Sequence, residues 1–316
     1  MGERQVRAVD GFRLAYERTG TGHPVVLLHG WPGDRHDYRA VTDRLRDRAD
    51  VIAPDLRGFG ESDKHDVDPV EHYGVAAQAR SVLALMDELD IGRAVLAGYD
   101  VGGRVAREIA ERHPDRVGHL VLSPPLPGVG SRILAPDTHG EYWYQAFHQL
   151  PLIEDMIDGR PDVVHAYLSY FWNHWTAPEF TPDGAEIARL ATLYATPGAL
   201  VASIKYYRSG AGAVNTALHE TPPERDARIA TPTIVLWPGA DALVRREWAD
   251  HMQDYFAEVD VRVIDSGHFT PVEAPDDFVT AIVDAIEPMG APGGVTRPGK
   301  RGLNVGGTRH ERIWQR

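Results

Sequence analysis

The sequence predicts an α/β fold: a mostly parallel, doubly covered sheet with a helical cap inserted after the sixth strand. Three observations carry that expectation. Short apolar runs alternate with helix-periodic stretches between Pro24 and Leu122. The alternation stops at Pro124, Pro125 and Pro127, and the chain from Glu141 to about Arg208 then reads as mostly helical. It resumes with the apolar run Thr233 to Trp237.

Val6 to Tyr16 and Pro24 to Leu28 read as early strands, the second stopping at His29-Gly30. Asp37 to Ala49 reads as a helix, and Val51-Ile52-Ala53 as the next strand. In Val75 to Leu89 the residues Val75, Ala79, Val82, Leu83, Leu85, Met86 and Leu89 recur at helical spacing. Ala94 to Ala97 is a buried strand, Val101 to Arg112 a helix, and His119 to Leu122 another strand. Within the helical stretch, Thr181-Pro182 and Thr196-Pro197 each read as a cap followed by proline at the first helical position. After Thr221-Pro222-Pro223 come the strand Thr233 to Trp237, a helix near Arg245 to Phe256, the strand Val261 to Ile264 and a helix from Asp276 to Ile286. The expected domains are a core over 1–128 and 221–288, a cap over 129–220, and a flexible, basic, Gly/Pro-rich tail over 289–316.

A net charge of −13 argues for solubility and against non-specific nucleic-acid binding. The absence of cysteine excludes disulfides, thiol catalysis and thiolate metal sites. The start, Met1-Gly2-Glu3-Arg4-Gln5, lacks the apolar segment of a signal peptide, and no apolar run is long enough to cross a bilayer. A cytoplasmic protein with no membrane partner is expected.

The chemistry centres on Gly98-Tyr99-Asp100-Val101-Gly102-Gly103, between the strand Ala94 to Ala97 and a helix. A sharp strand-to-helix turn with glycines at its tight positions is the nucleophile elbow of α/β-hydrolases. Serine usually occupies its centre; here it is Asp100. A carboxylate nucleophile attacks a tetrahedral carbon and becomes an alkyl ester, so the substrate is expected to be an alkylating electrophile such as an epoxide or alkyl halide. The helix N-terminus favours the ionised carboxylate. In this fold the loop His29-Gly30-Trp31-Pro32 and the residue after the nucleophile supply the oxyanion hole, here the main-chain N–H groups of Trp31 and Val101. Asp241, in Gly239-Ala240-Asp241, and His268, in Ser266-Gly267-His268-Phe269, each follow a strand. The order nucleophile, acid, histidine assigns His268 as general base toward water and Asp241 as its orienting partner.

Over roughly residues 5 to 288 the chain resembles the α/β-hydrolase epoxide hydrolases. The matching motifs are His29-Gly30-Trp31-Pro32, Asp55-Leu56-Arg57-Gly58-Phe59-Gly60-Glu61-Ser62-Asp63, Gly98 to Gly103, Asp241 and Gly267-His268-Phe269. Dehalogenases share them. Epoxide hydrolases add two cap tyrosines that grip the epoxide oxygen. One belongs to a Tyr-Gln pair, resembled by Tyr144-Gln145, and one precedes an arginine, resembled by Tyr207-Arg208. Tyr206 competes with Tyr207 for the second role. Haloalkane dehalogenases typically carry an indole or amide donor just after the nucleophile, where this chain has Val101. Fluoroacetate dehalogenases carry an arginine there and another three residues on; only the second is present, as Arg104.

The resemblance therefore implies hydrolysis of an epoxide to a vicinal diol through an ester on Asp100, with Tyr144 and Tyr207 as acids and no metal or organic cofactor. Trp143, Phe147, Trp172 and Phe269 are expected to line a pocket for an apolar or aromatic substrate, with a homodimer left open. The alternatives are a haloalkane or haloacid dehalogenase using the same aspartate, and a non-catalytic binding protein of this fold.

Overall fold

The computed structural model describes residues 3–290. Its strands are β1 (Arg4–Val9), β2 (Phe12–Thr19), β3 (His23–Leu28), β4 (Ala49–Pro54), β5 (Ala94–Gly98), β6 (Val117–Leu122), β7 (Thr233–Pro238) and β8 (Val259–Ile264). They form one sheet in the order β1-β2-β4-β3-β5-β6-β7-β8. β1 and β2 pair antiparallel, as do β2 and β4; the remaining pairs are parallel. The central strands β3, β4, β5 and β7 are buried almost end to end, which is why they read as unbroken apolar runs: a parallel sheet covered on both faces has no wet side.

The stretch Val6 to Tyr16 is not one strand but a hairpin. Asp10 (φ 47°) and Gly11 (φ 78°) both take the left-handed conformation of a tight two-residue turn. Asp-Gly is the strongest short signal for that turn, and it was there to be read. Other boundaries also move. The helix expected over 37–49 is shorter, α1 (Arg39–Leu45), because β4 already begins at Ala49. Arg246–Asp254 forms successive 3-10 turns, anchored by buried Trp248 and Met252, instead of an α-helix.

Two long helices flank the elbow. α2 (Val75–Glu88) buries Ala79, Val82, Leu85 and Met86, and α3 (Asp100–Arg112) buries Val105, Ala106, Ile109 and Ala110. Between β6 and β7 lie α4 (Trp143–Phe147), α5 (Pro161–Trp175), α6 (Gly184–Tyr194) and α7 (Ala199–Tyr206), with shorter turns between them. The two Thr-Pro caps do not form. α6 starts after Asp183, whose carboxylate accepts the Ala185 N–H at 2.9 Å, and α7 starts after Gly198 in the left-handed conformation. In each case a residue with a better local reason takes the cap: a carboxylate acceptor in one, a glycine free to adopt positive φ in the other. α8 (Pro275–Ile286) closes the core. Among the described residues no single helix is long and apolar enough to cross a membrane. The basic tail expected over 289–316 lies, from residue 291 on, outside the described residues.

The helical segment is tied to the loop that leaves β3. Arg189 forks onto Asp34 at 2.8 and 2.9 Å, the Tyr194 hydroxyl donates to the Gly33 carbonyl at 3.0 Å, and the Trp172 indole donates to the Pro32 carbonyl at 3.3 Å.

At the elbow, Gly102 lets α3 pass directly over β3: a Cβ there would sit 1.9 Å from the Leu28 carbonyl oxygen. Gly102→Ala is therefore expected to destabilise the fold by about 3 kcal/mol or more, the upper end of overpacking costs. Gly92→Ala, where a Cβ meets nothing within 4 Å, is expected to leave the denaturation midpoint nearly unchanged. Thermal or urea denaturation of the two variants checks this.

Candidate active site

Sheet order brings the reacting groups together. Leu28 pairs with Gly98 in the parallel ladder of β3 and β5, so the loops leaving both strands meet. Asp100 sits at the first turn of α3 with φ 49°, a left-handed conformation that costs a side-chain-bearing residue energy and recurs at functional turns. There its Oδ1 accepts the Trp31 N–H at 2.9 Å, and the Val101 N–H also bonds the carboxylate. These are the two main-chain donors the sequence singled out.

The second pair of loops meets in the same way. Pro238 pairs with Ile264 at the ends of β7 and β8, and beyond them the Ala240 N–H bonds the Ser266 carbonyl at 3.0 Å. Asp241 and His268 project from these loops. Asp241 Oδ2 lies 2.9 Å from His268 Nδ1, and its Oδ1 accepts the Leu243 N–H at 2.7 Å. A carboxylate only accepts, so Nδ1 carries the proton. His268 Nε2 lies 3.6 Å from Asp100 Oδ2, too long for a hydrogen bond, and has no other protein partner. A buried nitrogen left free beside a carboxylate is well placed to meet a water. The His268 turn is fixed by Glu273, whose carboxylate accepts the N–H groups of Gly267, Phe269 and Ala177.

The charges are strongly perturbed. Burial opposes protonation of His268, but the neighbouring carboxylates of Asp241 and then Asp100 outweigh it and raise its pKa to about 10. Burial likewise opposes ionisation of Asp100, but His268 and the Trp31 and Val101 N–H groups overcome it and hold the carboxyl below its ordinary value. The resting site is thus a carboxylate beside an imidazolium.

Opposite this pair stand the two tyrosines. Gln145 Nε2 donates to the Tyr144 hydroxyl at 3.0 Å, and the hydroxyls of Tyr144 and Tyr207 interact. Burial above all, then for Tyr144 the charge of Asp100, pushes both phenols up, so both stay protonated donors. Their placement depends on the Trp31 indole, which is fully buried and packs against Tyr144, Tyr207, His148, Phe171, Trp175 and Tyr167 with ring centroids 4.8–6.3 Å apart. Of the two adjacent tyrosines, Tyr207 makes this contact; the Tyr206 hydroxyl is buried near Arg104 and unpartnered. Arg104 itself donates to the Ala211 carbonyl and the Thr216 hydroxyl, both at 3.1 Å.

Of the four residues expected to line a substrate pocket, Trp143 lines a cavity that Tyr207 also borders. Trp143, 42 % exposed, packs with Phe147, Tyr167, Tyr170 and Phe171. Phe147 sits beside Trp143 and Tyr167. Trp172 stacks on Phe269 at 3.9 Å, joining the helical segment to the core beside the His268 turn. The rings that approach the reacting groups include Phe269, 5.5 Å from His268, Trp175, 5.1 Å from both His268 and Tyr144, and His148, 5.5 Å from Tyr144 and 4.9 Å from Tyr207. Helical spacing was the available signal: Tyr144 and His148 are four apart on α4 and its C-cap, as are Trp143 and Phe147, so the two pairs occupy different faces. His148 is kept neutral by burial, its pKa lowered to about 3. Among the described residues no cluster of three or more metal-ligating side chains occurs.

The chain matches the model of the alpha/beta hydrolase fold family over residues 23–275. It is 27 % identical to the soluble epoxide hydrolase of Corynebacterium sp. (strain C12), covering 89 % of this chain and 96 % of that protein. It is 29 % identical to the fluoroacetate dehalogenase of Burkholderia sp., covering 82 % and 85 %. Among solved structures, wild-type Cfl2 from Burkholderia cenocepacia superposes with a TM-score of 0.73 at 28 % identity, covering 89 % of this chain and 94 % of that one.

A histidine whose pKa rises on folding stabilises the fold fully below its unfolded value of about 6.5, and that contribution fades as pH climbs through about 10. The stability advantage of the wild type over His268→Gln is therefore expected to shrink between neutral pH and pH values above 10. Denaturation midpoints of the two proteins across that range check it; a constant difference would show that the imidazolium is not what the carboxylates hold.

Proposed function

The chain belongs to the α/β-hydrolase fold family, and from that premise we propose that it hydrolyses an epoxide to a vicinal diol through an ester on Asp100. The observation that carries the proposal is the facing of two protonated, buried tyrosines, Tyr144 and Tyr207, toward a site that holds an ionised aspartate beside a histidine with a free Nε2. The helical segment, over 129–220, acts as the cap that brings the tyrosines to the core, and the core comprises 1–128 and 221–288.

A carboxylate oxygen of Asp100 attacks a ring carbon. The carbon–oxygen bond breaks, its electron pair goes to the epoxide oxygen, and that oxygen takes a proton from Tyr144 or Tyr207. The ester has no charge, so His268 loses one of the two carboxylates that hold its proton. It passes that proton back to the tyrosinate and becomes a base. His268 then removes a proton from water, and the hydroxide adds to the carboxyl carbon of Asp100. Trp31 and Val101 N–H groups hold the tetrahedral oxyanion. Collapse breaks the ester bond and the departing alkoxide takes the remaining proton of the added hydroxyl, directly or relayed through His268, so the diol leaves and Asp100 returns as a carboxylate beside protonated His268. Atoms balance as epoxide plus water giving diol.

Fluoroacetate dehalogenase is also a relative. Arg104, the residue that would bind a haloacid carboxylate, is engaged with Ala211 and Thr216, which favours the epoxide. Cytoplasmic location, an apolar substrate and the absence of a cofactor belong to this reading.

Four measurements test it. A single turnover in heavy-oxygen water is expected to label Asp100 and leave the diol unlabelled; label in the diol alone would exclude the covalent route. His268→Gln is expected to accumulate one substrate equivalent on the peptide containing Asp100, seen by mass spectrometry, and chloroacetate or fluoroacetate should release no halide. Tyr144→Phe and Tyr207→Phe should each slow ester formation by about 100-fold or more, the usual weight of a positioned acid; rates within a few-fold of wild type would remove the tyrosines from the mechanism.

A further inference from the structure

The reacting groups are nearly sealed from solvent: Asp100 is 6 % exposed, Tyr144 2 % and His268 1 %. On the outer side of the tyrosine pair lies a cavity of about 490 Å³ that opens to solvent. That size is within the range of about 300–1,000 Å³ typical of small-molecule sites. Its walls include Leu134, Trp143, Ala146 and Leu218, and Gln145 and Tyr207 also line it. Trp143 and Leu218 are 42 % and 61 % exposed, so an apolar group seated there would remove large apolar surface from water.

Gln145 spans from this cavity to the reacting groups. Its Nε2 donates to the Tyr144 hydroxyl at 3.0 Å and its Oε1 accepts the Val214 N–H at 3.0 Å. The short helix that supplies Val214 (Ala213–Ala217) follows a π-helical turn (Tyr207–Ala211) containing Gly210 at φ 84°. Gly212 lies so near that a Cβ there would come 2.6 Å from Gln145 Oε1. One amide side chain, held between two hydrogen bonds, thus borders the outer cavity and bonds the Tyr144 hydroxyl.

Resting on the epoxide reading, we propose that this cavity receives the apolar arm of an elongated alkyl epoxide. The oxirane lies at Asp100 and the arm passes Gln145, which leaves the Val214 N–H to admit it. Trp143 then serves the substrate's far end, away from the chemistry.

The test uses chain length. Calorimetric titration with vicinal octanediol and vicinal butanediol is expected to give at least about tenfold tighter binding of the longer diol, consistent with the favourable burial of added methylenes. Ala146→Trp and Leu218→Trp, at exposed positions outside the catalytic groups, are expected to abolish that advantage while butanediol binding stays within twofold. In the same variants kcat/KM for octene oxide should fall about tenfold relative to butene oxide. No length advantage in the wild type, or an advantage that survives both variants, overturns the proposal. If epoxides turn over but the length ratio ignores the variants, the cavity assignment fails and the hydrolysis stands. If diol binding follows length and the variants while no epoxide turns over, the cavity assignment holds and the hydrolysis fails.

Discussion

The arrangement of this site depends on Trp31. Its main-chain N–H binds the Asp100 carboxylate, and its indole, buried to 0 % exposure, fills the space between the two tyrosines and α5. One residue therefore fixes the Asp100 carboxylate from the core side and sets where the two tyrosines stand on the other side. The rest of the loop reinforces the joint, since Pro32, Gly33 and Asp34 each accept hydrogen bonds from the helical segment. Large aromatic contacts suit this duty because they bury much area with few rotatable bonds and resist sliding. The indole N–H is also satisfied, donating to Ser203 on α7 at 3.2 Å.

Two carboxylates and one histidine share a dry space, an arrangement that is stable only because charge and hydrogen bonding are matched. Asp241 and Asp100 are both compensated by a single imidazolium, helped by the Trp31, Val101 and Leu243 N–H groups. The balance is conditional. Neutralising either carboxylate weakens the hold on the proton, and the ester proposed above would neutralise Asp100. In the proposed reaction, a histidine too basic to act on water at rest would become a base once Asp100 is esterified.

Much of this was legible because it is local. The elbow glycines, the oxyanion-hole loop and the Asp241 and His268 turns each follow an apolar strand, and a parallel sheet places the ends of neighbouring strands together. The long motif Asp55 to Asp63 proves to be scaffolding: Asp55 binds Arg35, Arg57 pairs with Asp10, and Asp63 forks onto Arg13. What the sequence did not disclose is tertiary. Nothing around Trp31 announces that its side chain serves the helical segment, and nothing around Glu273 announces three main-chain donors. Composition identifies the aromatic residues between β6 and β7 without giving the direction of their rings. Trp172 and Phe269 stack on one another, and their hydrophobic area is spent on the joint.

The two phenols come from distant parts of the chain, and Arg208 aligns the segments that carry them. It lies next to Tyr207, and its guanidinium binds the carbonyls of His148 and Leu150 and the carboxylate of Glu154. Those acceptors sit at and beyond the end of α4, the helix that carries Tyr144. Gln149 closes the loop by donating to the Tyr207 carbonyl at 3.0 Å. A planar fork with several fixed donors can hold two backbone segments in one orientation, which a lysine point charge cannot. The arginine after the second tyrosine is thus explained by geometry: it joins the two tyrosine-bearing segments through their backbone.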